Sequence, residues 1–385
     1  MNVLMVTNYF GSHGAGIELV AETLFRGLVG RKCTIVWAAA NVSAAPAEDA
    51  HGTALPLKTW NGVEVISGLP FPVPSLGALK QLRSSVGRAD IVLLHDCLYL
   101  SNIAAFLCAR RLGVPVMIVQ HIGMVPYRNL LLRGTMRLAN ALVTRPMLAS
   151  AEQVVFISRK IARHFASVRF RRPPELVFNG VNTAVFSPLG EGEDREAIRQ
   201  HLDLPRQGIV ALFVGRFVEK KGVPAMKRMA EMRPNWTWAF AGSGPLDPRS
   251  WNAANVRVFS NLRGASMAPL YRACDLLVLP SVGEGFPLVI QEALACGLPV
   301  VCGADTVEAD EALKPFVQGV RVYADDAGRT AREFLRAIEE LKDSKAGKHT
   351  PEERHAFAAS RYSWDNTISQ YLDVASRLAS HAAGP

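Results

Sequence analysis

Short apolar runs recur along the chain, each about as long as a buried strand and each ending in a polar residue or a turn. In the first half they are "NVLMVT" (2–7), "KCTIVWAA" (32–39), "ADIVLLHD" (89–96), "VPVMIVQH" (114–121) and "AEQVVFIS" (151–158). Between them, "IELVAETLFRGL" (17–28) and "LSNIAAFLCARRLG" (100–113) carry apolar residues at helical spacing. Strands that are apolar throughout, rather than alternating, are covered on both faces. Alternated with helices, they predict a parallel sheet.

The pattern breaks at "RRPPELVFNGVNTAVFSP" (171–188), where Pro173, Pro174, Asn179, Gly180 and Pro188 supply turn chemistry. It then restarts with "IVALFVG" (209–215), "WTWAFAG" (236–242), "VRVFSN" (256–261), "LLVLPS" (276–281) and "PVVCG" (299–303). The expectation is an α/β protein of two doubly wound domains in tandem, residues 1–180 and 181–364. The helix-like stretch "HAFAASRYSWDNTISQYLDVASRLA" (355–379) closes the chain, with residues 365–385 expected to rejoin the first domain. Ligands of such sheets bind beyond the carboxyl ends of the strands, so functional residues belong just after each apolar run.

Composition agrees with a globular enzyme: of 385 residues, 49% are hydrophobic and 20% charged, which excludes disordered and fibrous classes. Six cysteines without a C-x-x-C pair argue against zinc, iron–sulfur or a disulfide framework and predict reduced structural thiols. The N-terminal "MNVLMVTNYFGSHG" has no secretory signature, predicting a cytoplasmic protein. "IVLLHDCLYLSNIAAFLCA" (91–109) is interrupted by His95, Asp96, Ser101 and Asn102, so it reads as strand and helix rather than a membrane span.

The net charge of +9 is unevenly placed. Residues 1–190 hold 19 Lys and Arg against 9 Asp and Glu, and residues 80–172 hold 15 against 3. Such a field attracts an anionic surface: lipid head groups, phosphorylated acceptors or nucleic acid. "RNLLLRGTMRLANALVTRPMLAS" (128–150) mixes arginines with apolar residues as an interfacial helix does, or as a helix facing a core.

Four loops carry candidate chemistry. "EGFPLVIQEALACGLPVV" (284–301) puts Glu284 at a strand's carboxyl end, turns at Gly285 and Pro287, and places Glu292 inside a helix. The turn amides and positive helix end suit a diphosphate, Glu292 suits a ribose diol, and Glu284 suits sugar hydroxyls. In "LFVGRFVEKKG" (212–222), Arg216 and Lys221 offer a planar fork and a point charge for one anion. "AGSGPLDP" (241–248) puts Gly242 and Gly244 where a base or ribose could approach the backbone, although an ordinary turn explains them equally. "NYFGSHGAGIE" (8–18) is not G-x-G-x-x-G, but Gly14 and Gly16 leave room for a phosphate or sugar.

The order of these segments, with "VFNGVNTAVFSP" (177–188) and "LYRACDLLVLPS" (270–281), resembles the retaining, metal-independent glycosyltransferases of family four, the group 1 glycosyl transferases. The resemblance covers essentially the whole chain. It implies the GT-B fold, two Rossmann-like doubly wound parallel-sheet domains facing across a cleft, with a nucleotide-diphosphate sugar (UDP or GDP) on the second. It also implies a donor-binding set of Gly16, Arg216, Lys221, Gly242, Gly244, Gly285, Phe286, Pro287, Leu288 and Glu292. By the same analogy His121, Arg216, Lys221 and Glu284 serve the chemical step: Arg216 and Lys221 stabilise the departing diphosphate, and Glu284 orients the sugar.

Of two histidines that end apolar strands, His121 rather than His95 resembles the family's histidine facing the transferred sugar. No metal is expected and no cofactor beyond the sugar nucleotide, and no D-x-D pair supplies the usual ligands. The implied acceptor is a saccharide or lipid-linked saccharide, as in assembly of cell-surface polysaccharide or glycolipid, with the enzyme peripheral on the inner face of the plasma membrane. Two features depart from the pattern: Ala15 stands where many relatives have glycine, and "ADTVEADEALKPFV" (304–317) replaces a Gly-rich stretch, its acidic residues expected to be solvated. Competing readings are a nucleotide-sugar epimerase or hydrolase of the same architecture and a nucleic-acid-binding module; the latter lacks recognised RNA-binding motifs, so nucleic acid is not an expected partner.

Overall fold

The computed structural model describes residues 1–14, 16–31, 33–62, 71–123 and 130–382. The chain forms two compact units, Met1–Asn179 with Trp364–Pro385, and Gly180–Ser363.

In the first unit the strands are β1 (Asn2–Val6), β2 (Thr34–Ala40), β3 (Gly52–Leu57), β4 (Thr59–Trp60), β5 (Val73–Pro74), β6 (Ile91–His95), β7 (Val116–Gln120), β8 (Gln153–Phe156) and β9 (Glu175–Leu176). Seven make a sheet of order β3-β2-β1-β6-β7-β8-β9, parallel throughout, and β4 and β5 pair antiparallel. Every residue of β6, β7 and β8 is buried, as a sheet covered on both faces requires. Helix Gly16–Val29 buries Val20, Ala21, Leu24, Phe25 and Leu28 at the spacing of one helical face.

The second unit contains β10 (Val210–Val214), β11 (Thr237–Ala241), β12 (Val256–Phe259), β13 (Leu276–Leu279), β14 (Val300–Gly303) and β15 (Val317–Val320), a parallel sheet of order β12-β11-β10-β13-β14-β15. Apolar patterning had not marked β3, β9 or β15. β3 contains Pro56 and is fully buried only at its two end residues, β9 has two residues, and β15 reads Val-Gln-Gly-Val.

The C-terminal stretch is not one helix. Helix Pro351–Tyr362 ends at Ser363, whose backbone is extended (φ −64°, ψ 142°) and bridges Val181, and Val181 N–H donates to the Tyr362 carbonyl at 2.6 Å. Helix Trp364–Ala382 then places Ile368, Tyr371, Val374, Ala375 and Leu378 in the first unit's core. Ala15 and residues 128–129 of the basic amphipathic stretch lie outside the described residues. The rest of that stretch is helix Leu130–Ala139, a π turn Asn140–Thr144 and helix Arg145–Ser150. Pro146 lacks the N–H that an α-helical ladder needs at this point, which accounts for the widened turn. Leu138 and Leu142 are exposed on it. Among the described residues no helix is long and apolar enough to cross a membrane. All six cysteines are free thiols, five of them buried.

One expectation is corrected in the segment 304–317. Asp310 is not solvated: it is buried, accepting from Tyr362 Oη at 2.7 Å, Arg361 Nη2 at 2.8 Å and the Ala312 amide at 3.2 Å. Burial alone would raise this carboxyl, but the hydrogen bonds from Arg361, Tyr362 and Ala312 hold it below the ordinary range.

Candidate active site

In each sheet the strand order reverses beside the unit's first strand, between β10 and β13 in the second unit and between β1 and β6 in the first. At such a switch point the flanking loops part and leave a crevice at the strands' carboxyl ends.

In the second unit three strand-end loops are laced together by backbone hydrogen bonds. Gly215 N–H donates to the Ala241 carbonyl (2.9 Å), Phe217 N–H to Ser243 (2.8 Å), Leu246 N–H to Phe217 (3.0 Å) and Val282 N–H to Lys220 (2.9 Å). The glycines serve this lacing. A Cβ on Gly242 would lie 2.0 Å from the Gly215 carbonyl oxygen, and one on Gly222, at φ +80°, would lie 2.2 Å from that of Pro280. The close approach expected of a ligand at Gly242 and Gly244 is made by the protein's own backbone, at Gly215 and Phe217.

On this frame Lys221 Nζ, closing the 3-10 turn Glu219–Lys221, stands 2.9 Å from Glu284 Oε1, with both side chains largely buried. The pair is a charge contact without an aligned hydrogen bond, for among the described residues Glu284 Oε1 is a buried oxygen with no hydrogen-bond partner. Arg216 is exposed and, among the described residues, has no carboxylate partner. Lys220, on the same turn, belongs to the cluster although sequence reasoning passed it over. Its residue is exposed, yet desolvation of the ammonium lowers its pKa, with Glu284 opposing and Lys221 and Arg216 adding to the shift.

Helix Leu288–Ala295 follows Glu284. Pro287 at its start gives no side-chain cap, so the leading amides and the positive end of the dipole are open toward the loop. Gly285 and Phe286 lead into it, and the buried Phe286 ring packs edge-on against Tyr362 at 5.2 Å. Within the helix, Glu292 Oε2 accepts from Tyr271 Oη at 2.7 Å, and among the described residues Oε1 has no partner. Burial raises the Glu292 carboxyl above its ordinary range, and the Tyr271 hydrogen bond pulls it partly back. Tyr271 was not legible as a site residue, because only the fold brings "LYRAC" beside "IQEAL".

In the first unit Gly16 opens helix Gly16–Val29, with nothing within 4 Å of where a Cβ would stand. His95 ends β6, and His121 follows the neighbouring β7. Their rings meet, Nδ1 of His95 lying 2.9 Å from Nε2 of His121. Asp96 Oδ1 accepts from the amides of His121 (2.9 Å) and Ile122 (3.2 Å), and Asn102 Nδ2 donates to the carbonyls of His95 (2.7 Å) and Asp96 (2.8 Å). Burial drives His95 down to about 3, and burial with the neighbouring His95 puts His121 well below its ordinary value, so both are neutral.

Two buried carboxyls accompany them. Burial pushes Glu18 up to about 7, and burial, reinforced by Glu18 and opposed by the two amide hydrogen bonds, pushes Asp96 up to about 7. Their ordinary values are 4.5 and 3.8, so between about 4 and 7 the folded chain holds protons that the unfolded chain has released. The stabilisation is complete below that window and is lost as pH rises through it. Glu18→Gln should therefore flatten the fall in thermal midpoint between pH 4.5 and 7.5, gaining on the wild type toward the alkaline end. Parallel curves from thermal unfolding would contradict it.

Among the described residues no group of three or more His, Cys, Asp or Glu side chains could hold a metal ion. Two parallel-sheet units, one carrying cations, an open helix start and a hydroxyl-accepting carboxylate at its switch point, have the form of an enzyme that handles a sugar nucleotide. Comparison with known proteins agrees on the class. The profile of the family described as "Glycosyl transferases group 1" matches residues 194–359, and that of "Glycosyltransferase Family 4" matches residues 14–185. The chain is 30% identical over 334 residues to a D-inositol 3-phosphate glycosyltransferase of Salinispora tropica, covering 77% of this chain and 68% of the relative. Its fold is similar to that of a sucrose-phosphate synthase from Thermosynechococcus elongatus, with TM-score 0.73, 16% identity and coverage of 98% and 99%. It is also similar to Anabaena HepE, solved in complex with UDP and glucose, with TM-score 0.68, 16% identity and coverage of 98% and 100%. The chain belongs to the group 1 glycosyltransferases and has their GT-B fold.

Proposed function

We propose that this glycosyltransferase moves a sugar, with retention of anomeric configuration and without a metal ion, from a UDP- or GDP-sugar to a saccharide or lipid-linked acceptor. The observation that carries the reading is the cluster at the β10–β13 switch point, where Lys221, Lys220 and the exposed Arg216 stand beside an open helix start. Cations and helix amides neutralise the diphosphate as the anomeric carbon–oxygen bond breaks. The acceptor hydroxyl forms the new bond on the same face, and its proton leaves with the diphosphate. Glu292 receives the ribose hydroxyls, Glu284 orients the sugar, and His121 hydrogen-bonds a sugar hydroxyl.

UDP is supported by HepE, solved with UDP and glucose, and a phosphorylated acceptor by relatives named for inositol 3-phosphate. The excess of basic residues between 80 and 172 supports the same acceptor chemistry, or attachment to the anionic inner face of the plasma membrane during assembly of cell-surface glycans. The purified protein, offered UDP- and GDP-sugars with inositol phosphate and lipid-linked saccharides, should form a glycosylated acceptor with unchanged anomeric configuration in the presence of EDTA. Conversion of the sugar nucleotide without acceptor would make it an epimerase or hydrolase. EDTA inhibition reversed by added metal would overturn the metal-free step.

A further inference from the structure

The contact between His95 and His121 does more than fill space. Two neutral imidazoles share one hydrogen bond between His95 Nδ1 and His121 Nε2, so one proton lies between the rings and each ring keeps one. Two arrangements satisfy this. If His121 Nε2 carries the shared proton, then His95 must hold its own on Nε2. Among the described residues that atom is buried with no partner, in a residue with 0% exposure, and an orphaned buried N–H is the rarer and costlier defect. If His95 Nδ1 carries it, His95 Nε2 is a bare acceptor, and His121 holds its proton on Nδ1. His121 keeps 5% exposure, and among the described residues its Nδ1 has no partner, so that N–H is left to donate to something else.

The surroundings leave little else to vary. Asp96 pins the amides of His121 and Ile122, and Asn102 pins the carbonyls of His95 and Asp96. Both strand ends are thereby fixed, and the open choice is where the ring protons sit. We propose that His95 is a positioning residue whose Nδ1–H donates to His121 Nε2, locking His121 in the Nδ1–H tautomer so that it presents a donor rather than an acceptor. What that donor meets rests on the proposed function: a hydroxyl oxygen of the sugar or acceptor.

The test begins with the intact wild-type protein labelled with 15N-histidine, whose nine histidines give a tractable spectrum. Two-bond correlations distinguish a protonated from a bare ring nitrogen, and spectra of His121→Gln and His95→Leu assign the two rings. The expected result is protonated Nδ1 and bare Nε2 on both. A protonated Nε2 on His121 overturns the proposal with no activity measurement needed. His95→Leu should release His121 from the Nδ1–H form and lower transfer at saturating donor by about tenfold, the equivalent of one lost hydrogen bond. UDP affinity by calorimetry should stay unchanged, because the nucleotide site lies in the other unit. His95→Asn, which keeps a donor near the Nδ1 position, should recover most of the rate. If His95→Leu fails to fold, the wild-type spectrum still decides. Full transfer by a folded His95→Leu that has lost the tautomer overturns the positioning role. Full transfer by His121→Ala would instead remove His121 from the proposed function, leaving the tautomer assignment to stand on its spectrum.

Discussion

Lys221→Ala is expected to lower the transfer rate at saturating donor by about 10²–10³-fold, the usual cost of removing one group that stabilises charge developing in the transition state. Its ammonium stands 2.9 Å from Glu284 Oε1 beside an open helix start. Two losses are combined in that substitution: the cation proposed to meet the leaving diphosphate, and the counter-charge of a largely buried carboxylate. Glu284→Gln separates them, since it removes the carboxylate charge and leaves Lys221 free for the diphosphate. The double variant should be at least as slow as Lys221→Ala but regain thermal midpoint, because no buried carboxylate is left unpaired. Wild-type turnover by a folded Lys221→Ala would end the assignment of the diphosphate to this loop.

Glu292→Ala should cost about 10²-fold in transfer efficiency, by removing the desolvated carboxylate proposed to accept the ribose hydroxyls. A milder change in its partner gives a sharper signature. Burial already raises the Glu292 carboxyl, and the Tyr271 hydroxyl at 2.7 Å opposes that rise. Tyr271→Phe deletes only the opposing contact, so the carboxyl shifts further up and donor binding should begin to weaken at a higher pH as the solution is acidified. Nucleotide affinity measured across pH 5 to 8 checks the direction. An acid limb that stays in place or moves down would separate Tyr271 from the carboxylate that binds the donor.

Much of this architecture was legible in the sequence because parallel strands buried on both faces write themselves as unbroken apolar runs. "IVLLH", "VMIVQ" and "LLVL" became β6, β7 and β13, with His95 and Glu284 on or just beyond strand ends. The strands that escaped notice lack that signature: Pro56 interrupts β3, and Gln318 and Gly319 dilute β15. The break at Ser363 was invisible for another reason. Nothing in "RYSWDN" forbids a continuing helix, and the extended residue is fixed by its bridge to Val181, far away in the chain. Candidate site residues could be picked out from motif position, whereas their pairing could not. Lys221 with Glu284, Tyr271 with Glu292 and His95 with His121 are contacts made by topology. Gly242 and Gly244 show the converse, a motif legible for close approach whose visitor is the chain's own backbone.

The return of helix Trp364–Ala382 to the first unit bears on how the chain acquires its structure during synthesis. Domains usually fold in the order in which they leave the ribosome. Here Ile368, Tyr371, Val374, Ala375 and Leu378 belong to a core whose other members begin at Val3, and everything between Gly180 and Ser363 is made before they exist. The second unit is contiguous and can close as soon as it emerges. The unit begun first is finished last, and until then the faces that will receive Ile368 and Tyr371 wait uncovered. A chain released after Ser363, lacking only helix Trp364–Ala382 and the residues beyond it, should therefore carry a protease-resistant second unit and a first unit still open to cleavage and chaperone capture.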